Sequence, residues 1–192
     1  MLKCGGRRYE KMRSARIEPQ FMSMAWDVAY QSNCRRRKVG VVVVLNGTVV
    51  ITAVNGTPAG VMPCNEGGCL RCLSDTPSGE LYDSCLCIHA EQSAIAQAAQ
   101  TGLRTGGATL YCTLRPCLTC VKLCLKAGIL NIVYDEEIQF TSDIEEAYEQ
   151  FIKETRLSII KCSKHNSSLN QHLANSTNKG GIDRNEGPKG LL

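Results

Sequence analysis

The sequence predicts an α/β fold, a central mixed sheet of five strands flanked by helices. Two patterns and the size of the chain point there. Val39 to Leu45 and Thr48 to Val54 are rich in β-branched residues and flank Asn46-Gly47, so they read as a hairpin. After residue 88, stretches of helical period alternate with short apolar runs. With 192 residues and 43% hydrophobic side chains, there is enough apolar material for one domain with a core.

Phe21 to Ser32 reads as a helix with Phe21, Met24, Ala25, Val28 and Ala29 on one apolar face. The unbroken valines after Val39 predict a strand covered on both faces, and Asn46-Gly47 supplies the positive φ angles of a tight turn. From His89 the alanines recur at helical spacing until Gly102. Ala108 to Thr113 reads as a strand, Cys117 to Ala127 as a helix stopped by Gly128, and Ile129 to Tyr134 as a strand. Ser142 and Glu145 have the spacing of a capping box for a helix through about Thr155. Leu157 to Cys162 is the last strand.

Residues 55–87 break this regularity with glycines, prolines and five cysteines. A loop of that length inside a domain is uncommon unless it is functional or pinned, and cysteines can pin it. From Ser163 the composition turns to Ser, Asn, Gly and Lys without aromatics, which predicts disorder. The expected division is an N-terminal extension over residues 1–19, a folded unit over 20–162 and a tail over 163–192.

Composition excludes several classes. The first twenty residues hold no continuous apolar stretch, so no secretory signal is expected, and the longest apolar run is too short to span a bilayer. The net charge of +4 is modest for a chain that coats nucleic acid. Part of it lies in Arg35-Arg36-Arg37-Lys38, read either as a solvated turn or as a contact for a nucleotide phosphate. Twelve cysteines without a secretory signal point to a reducing cytoplasm and to metal rather than disulfides.

The chemistry concentrates in His89-Ala90-Glu91 and, further on, Pro116-Cys117-Leu118-Thr119-Cys120. One imidazole and two thiolates make three ligands for a tetrahedral Zn²⁺ and leave the fourth position open to water, the mark of a catalytic site. Glu91 is a carboxylate beside the metal that is not needed as a ligand, and so is placed to act as acid and base. Cys117 and Cys120 share the first turn of a helix whose N-terminus favours thiolates.

This H-x-E…P-C-x-x-C pattern resembles the signature of the zinc nucleobase deaminases. Within them the chain is similar to the deoxycytidylate (dCMP) deaminase family over roughly residues 20–155. The likeness runs through Cys34-Arg35-Arg36-Arg37-Lys38-Val39-Gly40, Asn55-Gly56-Thr57-Pro58-Ala59-Gly60, Cys64 and Glu66-Gly67-Gly68-Cys69. It continues through the two zinc motifs to Ala127-Gly128-Ile129. Ser93 and Arg115 depart from the family's usual residues.

The resemblance implies a three-layer cytidine deaminase-like fold and hydrolysis of dCMP to dUMP and ammonia, one catalytic zinc per chain on His89, Cys117 and Cys120, and Glu91 moving the protons. It implies a nucleotide pocket with Asn55, Ala90 and Arg115, Asn55 toward the deoxyribose. Some members carry a second, structural zinc on cysteines at the positions of Cys34 and Cys64. Cys69-x-x-Cys72 and Cys85-x-Cys87 offer the remaining ligands, and Cys34, Cys64, Cys69 and Cys87 form the expected set. Homo-oligomers, often hexamers, with dCTP and dTTP as effectors are likewise implied.

Two alternatives stand beside this reading. One is the same chemistry on dCTP, on free cytidine or on a base in nucleic acid. The tRNA adenosine deaminases typically have Met where this chain has Leu118-Thr119, and the riboflavin-pathway deaminases use a wider cysteine spacing. Another is a zinc-stabilised binding module without turnover, against which the intact Glu91 counts.

Overall fold

The computed structural model describes residues 17–77 and 81–162. The expectations for the N-terminal extension up to residue 16 and for the tail from residue 163 lie outside the described residues. The elements are α1 (Pro19–Ala29), β1 (Gly40–Leu45), β2 (Thr48–Val54), α2 (Leu70–Leu73), α3 (Ala90–Thr101), β3 (Thr109–Leu114), α4 (Leu118–Lys126), β4 (Asn131–Glu136), α5 (Ser142–Glu154) and β5 (Ser158–Lys161). Two single 3₁₀ turns, Cys64–Glu66 and Tyr82–Ser84, complete them.

The five strands form one mixed sheet in the order β2-β1-β3-β4-β5. β1 pairs antiparallel with both β2 and β3, while β3, β4 and β5 run parallel. The hairpin turns through Asn46 at φ 53° and Gly47 at φ 78°, the left-handed pair that its sequence required. Successive valines of β1 serve opposite faces, since strand side chains alternate. Val41 and Val43 join the core beneath α3 and α4, whereas Val42 and Val44 pack with Phe21 and Met22 of α1. The sheet is therefore the middle of three layers.

Two close approaches set the layer spacing. A methyl group on Gly40 would run into the backbone of Ala25 and Ala29, so glycine lets α1 lie directly on β1. On the other face Ala90, Ala94 and Ala98 are buried along one side of α3 and bring that helix against the sheet.

Some expectations shift for local reasons. α1 ends at Ala29 rather than Ser32, because the Ser32 hydroxyl turns to the Asn55 carbonyl and side-chain oxygens, 2.7 Å from each. Met22 takes the buried place expected of Met24, which is 38% exposed. The Ser142/Glu145 capping box does not form: Thr141 stands at the N-cap, and Glu145 is drawn away by a stronger partner.

That partner is Arg115, whose guanidinium donates to both Glu145 oxygens at 2.7 and 2.9 Å. It also stacks 4.4 Å above the Tyr148 ring centre. The pair is charge-assisted and two-pronged, and beside it Glu145 accepts from the Phe140 amide at 3.3 Å rather than from the amide at the helix start. It ties the end of β3 to α5, while the Tyr148 ring of that helix packs into the core shared with α3 and α4.

The hydrogen bond from Arg115 holds the Glu145 carboxyl below the usual carboxylate range. A depressed carboxylate contributes stability that is present above its unfolded pKa and lost as the pH falls through the folded one. Replacing Glu145 by Gln should destabilise the fold by about 1–2 kcal/mol at neutral pH. Urea unfolding as a function of pH checks this: the gap to wild type should close on acidification below about pH 4.

Candidate active site

His89 and Cys117 each occupy the N-cap of a helix, α3 and α4, with extended backbone at φ −71° in both. His89 is delivered by a short antiparallel bridge in which the Gly56 amide donates to Ile88 at 3.1 Å and the Ile88 amide to Gly56 at 2.8 Å. Its own backbone N–H is held by the Gln92 side chain at 3.0 Å. β3 delivers Cys117 through Pro116, and one turn of α4 brings Cys120 alongside. The two helix N-termini thus meet at one point.

There His89 Nδ1 lies 3.6 Å from Cys117 Sγ and 3.4 Å from Cys120 Sγ. With bonds of about 2.0–2.1 Å to nitrogen and 2.3 Å to sulfur, a tetrahedral zinc separates its N and S ligands by about 3.6 Å. The three donors fit zinc through the Nδ1 nitrogen.

The electrostatics are those of a cation site. The Cys117 thiol is pulled down to about 4, first by the hydrogen bond from Cys120, then by His89 against the opposing effect of burial. Cys120 is pushed up, since it gives that hydrogen bond and is itself buried. His89 is raised, chiefly by its bond to Cys117. Glu91 is 4% exposed, and burial raises its carboxyl to about 6 although His89 pulls the other way. A buried carboxyl poised near neutrality suits proton transfer. By contrast Cys112 and Cys124 are fully buried and raised by burial, as packing thiols are.

One cavity opens onto this centre and includes all three expected pocket residues, Asn55, Ala90 and Arg115, in its wall. Asn55 is held by the fold as well. Its side-chain oxygen accepts from the Val39 amide at 2.8 Å and the Ser32 hydroxyl at 2.7 Å, and its NH₂ donates to the Arg37 carbonyl at 2.8 Å. Three of the four hydrogen bonds an asparagine can make are therefore internal, which leaves one N–H for a ligand. Arg115 borders the cavity, but its guanidinium is engaged with Glu145. Ser93, which departs from the family's usual residue, is not part of its wall.

The wall also contains Arg36, Arg37 and Arg71 together with Cys72, Cys85 and Cys87. Arg71 was missed by the sequence reading. It sits inside Cys69-x-x-Cys72, and no periodicity shows that the loop folds back over the cavity.

The second cysteine set differs from the expected one. Cys34 and Cys64 gather with Cys72 and Cys87, all four sulfurs within 4.8 Å of one another. Cys72 replaces Cys69. The turn of α2 separates the two: Cys69 stays beside the Leu86 amide at 3.4 Å and Cys85 at 3.8 Å, while Cys72 points toward Cys87 at 3.9 Å.

The chain is similar to known proteins over most of the folded residues. The cytidine and deoxycytidylate deaminase zinc-binding region matches residues 16–136. A deoxycytidylate deaminase of Schizosaccharomyces pombe is 47% identical over 115 residues, covering 59% of this chain and 35% of the relative. One of Saccharomyces cerevisiae is 41% identical over 124 residues, 64% of this chain and 38% of the relative. The chain thus spans little more than a third of the length of these two relatives. Among solved structures, a cyanophage S-TIM5 dCMP deaminase in complex with dCMP and dUMP superimposes with a TM-score of 0.55 at 28% identity, over 77% of this chain and all of that one.

The internal bonds of Asn55 make it a stability residue too. Asn55→Ala leaves the buried Val39 amide without its partner and should cost about 1–3 kcal/mol in a denaturant titration, beyond any loss of ligand affinity.

Proposed function

This chain belongs to the cytidine and deoxycytidylate deaminase family, and we propose that it hydrolyses dCMP to dUMP and ammonia. The observation that carries the reading is the buried Glu91 set beside a His89/Cys117/Cys120 triad whose spacings fit one zinc, with His89, Glu91 and Cys117 in the wall of a cavity. The deoxycytidylate deaminase relatives and the cyanophage enzyme with dCMP and dUMP support the choice of substrate.

Zinc bound there supplies Lewis-acid chemistry, lowering the pKa of a water from 15.7 toward about 7. The protein's own work is proton transfer and positioning. Glu91 takes one proton from the water and delivers it to ring N3 as the hydroxyl adds to C4; it then takes the second proton from that hydroxyl and gives it to the departing amine, the C4–N bond breaking as the C4 carbonyl forms. Its burial keeps bulk water from competing for those protons. In this reading the unused N–H of Asn55 meets the deoxyribose, Ala90 leaves room in the cavity wall, and Arg36, Arg37 and Arg71, which line the same cavity, supply the charge for a 5′-phosphate. Arg115 positions the wall through Glu145 rather than meeting the phosphate.

Residues 20–162 are the working unit in this reading, with at least one structural zinc in the cysteine loop. Family analogy adds a homo-oligomer with dCTP and dTTP as effectors. No helix among the described residues is long and apolar enough to cross a membrane. The eleven cysteines of the described residues are all free thiols, which suits a cytoplasmic setting.

Glu91→Gln should keep the catalytic zinc and lose at least a hundredfold in turnover, measured as ammonia release alongside metal content. Wild-type activity in that variant would remove Glu91 from the chemistry. Arg71→Ala should raise KM for dCMP about tenfold or more and leave deoxycytidine turnover unchanged. A substrate panel of dCMP, CMP, dCTP, deoxycytidine and a short oligonucleotide makes that comparison directly.

A further inference from the structure

The cysteine loop encloses sulfur where a folded segment of its size ordinarily encloses hydrocarbon. Its apolar side chains point outward: Leu70 is 80% exposed, Leu81 65% and Met62 61%. Inside lie Cys34, Cys64, Cys69 and Cys72, all buried, with Cys85 and Cys87 packed against them. Among its described residues, regular structure amounts to the four residues of α2 and two 3₁₀ turns. A unit this small, with so little apolar core, commonly needs a metal to hold a fold.

The six sulfurs form two groups of four. Cys34, Cys64, Cys72 and Cys87 make one, and Cys69, Cys72, Cys85 and Cys87 the other. Cys72 and Cys87 belong to both. The three sulfur separations within the second group, Cys69–Cys85 and Cys72–Cys85 at 3.8 Å and Cys72–Cys87 at 3.9 Å, match a tetrahedral edge. Four sulfurs at about 2.3 Å from a zinc stand about 3.8 Å apart.

We propose that this loop holds a binuclear zinc cluster, with Cys34 and Cys64 terminal on one ion, Cys69 and Cys85 terminal on the other, and Cys72 and Cys87 bridging both. The inference deepens the reading of the loop as a structural zinc site and rests on it. A single ion satisfies only four of the six sulfurs. In the first group it strands Cys69, which has no exposed surface, against Cys85; in the second it strands Cys34 and Cys64. Pairwise disulfides do not account for the arrangement either, because Cys72 has two sulfur neighbours at nearly equal distance.

The backbone is organised for thiolates on both sides of the shared edge. The Arg35 amide donates to Cys64 at 3.4 Å and the Leu86 amide to Cys69 at 3.4 Å, one terminal sulfur in each group. Gly68 permits the fold-back before Cys69, since a methyl group there would meet the Met62 carbonyl. Two zinc ions and six thiolates leave the cluster anionic by two charges, with six thiol protons released on assembly. Arg36 and Arg71, two residues beyond Cys34 and one before Cys72, are thereby anchored on the cavity wall.

Zinc per chain, measured by atomic emission on the reduced 192-residue chain, should be three: one at His89, Cys117 and Cys120, and two in the loop. Two zinc ions would overturn the cluster while sparing a single structural zinc; one would remove the loop site and leave the proposed reaction untouched. Iron in the loop would also overturn it. Cys64→Ser and Cys85→Ser should each lose one zinc and keep the other two, whereas with a single loop ion only one of the two substitutions would lower the count. Should either variant fail to fold, ¹¹³Cd NMR of the cadmium-substituted wild-type chain decides. Two loop resonances coupled to each other through the shared sulfurs are expected, and a lone uncoupled loop resonance would overturn the proposal.

Discussion

Two helix N-termini converge on a single point, and the rest of the molecule can be understood as what holds them there. An N-cap has extended backbone and presents its side chain beyond the helix end, next to amides that carry partial positive charge. His89 and Cys117 both stand at such positions, and Cys120 follows one turn into α4. A Cys117 thiolate is favoured there, with Cys120 held as the thiol that donates to it. Small errors in either helix would open the 3.4–3.6 Å spacings between imidazole and sulfur. The alanine face of α3 and the bridge between Gly56 and Ile88 reduce that freedom on one side, and the parallel pairing of β3 with β4 reduces it on the other.

Several groups serve both fold and site. Asn55 closes the start of β1 onto the end of β2 and still offers one N–H to the cavity. Arg115, adjacent in sequence to Pro116 and Cys117, spends its charge on Glu145 and its flat face on Tyr148, and so couples the helix start that bears the cysteines to α5. In the cysteine loop the same economy applies, because sulfurs that pin the loop also form part of the cavity wall beside the arginines. With the loop held by metal as proposed, the place of these arginines in the cavity wall would depend on that metal.

Most elements were legible as patterns. The hairpin was read from β-branched runs around Asn46-Gly47, and its second strand, Thr48–Val54, has the bounds its sequence marked. α3, α4 and α5 follow from their periodicity and from stop signals such as Gly102 and Gly128. What was misread depended on competition between partners distant in sequence. Ser32 left its helix for Asn55, 23 residues away, and Glu145 left its capping position for Arg115, 30 residues away. Local spacing carries no record of such rivals.

The sequence by itself determined the candidate ligand types, their grouping and the neighbouring carboxylate, because metal chemistry restricts which residues can serve and helical geometry restricts their spacing. His89, Glu91, Cys117 and Cys120 could be named without coordinates. Only the tertiary structure decided which nitrogen of His89 faces the sulfurs, that Cys72 rather than Cys69 joins Cys34 and Cys64, and that Arg71 reaches the cavity. Those are distances between segments joined by irregular chain. They depend on how the loop packs back onto the sheet, which neither periodicity nor spacing encodes.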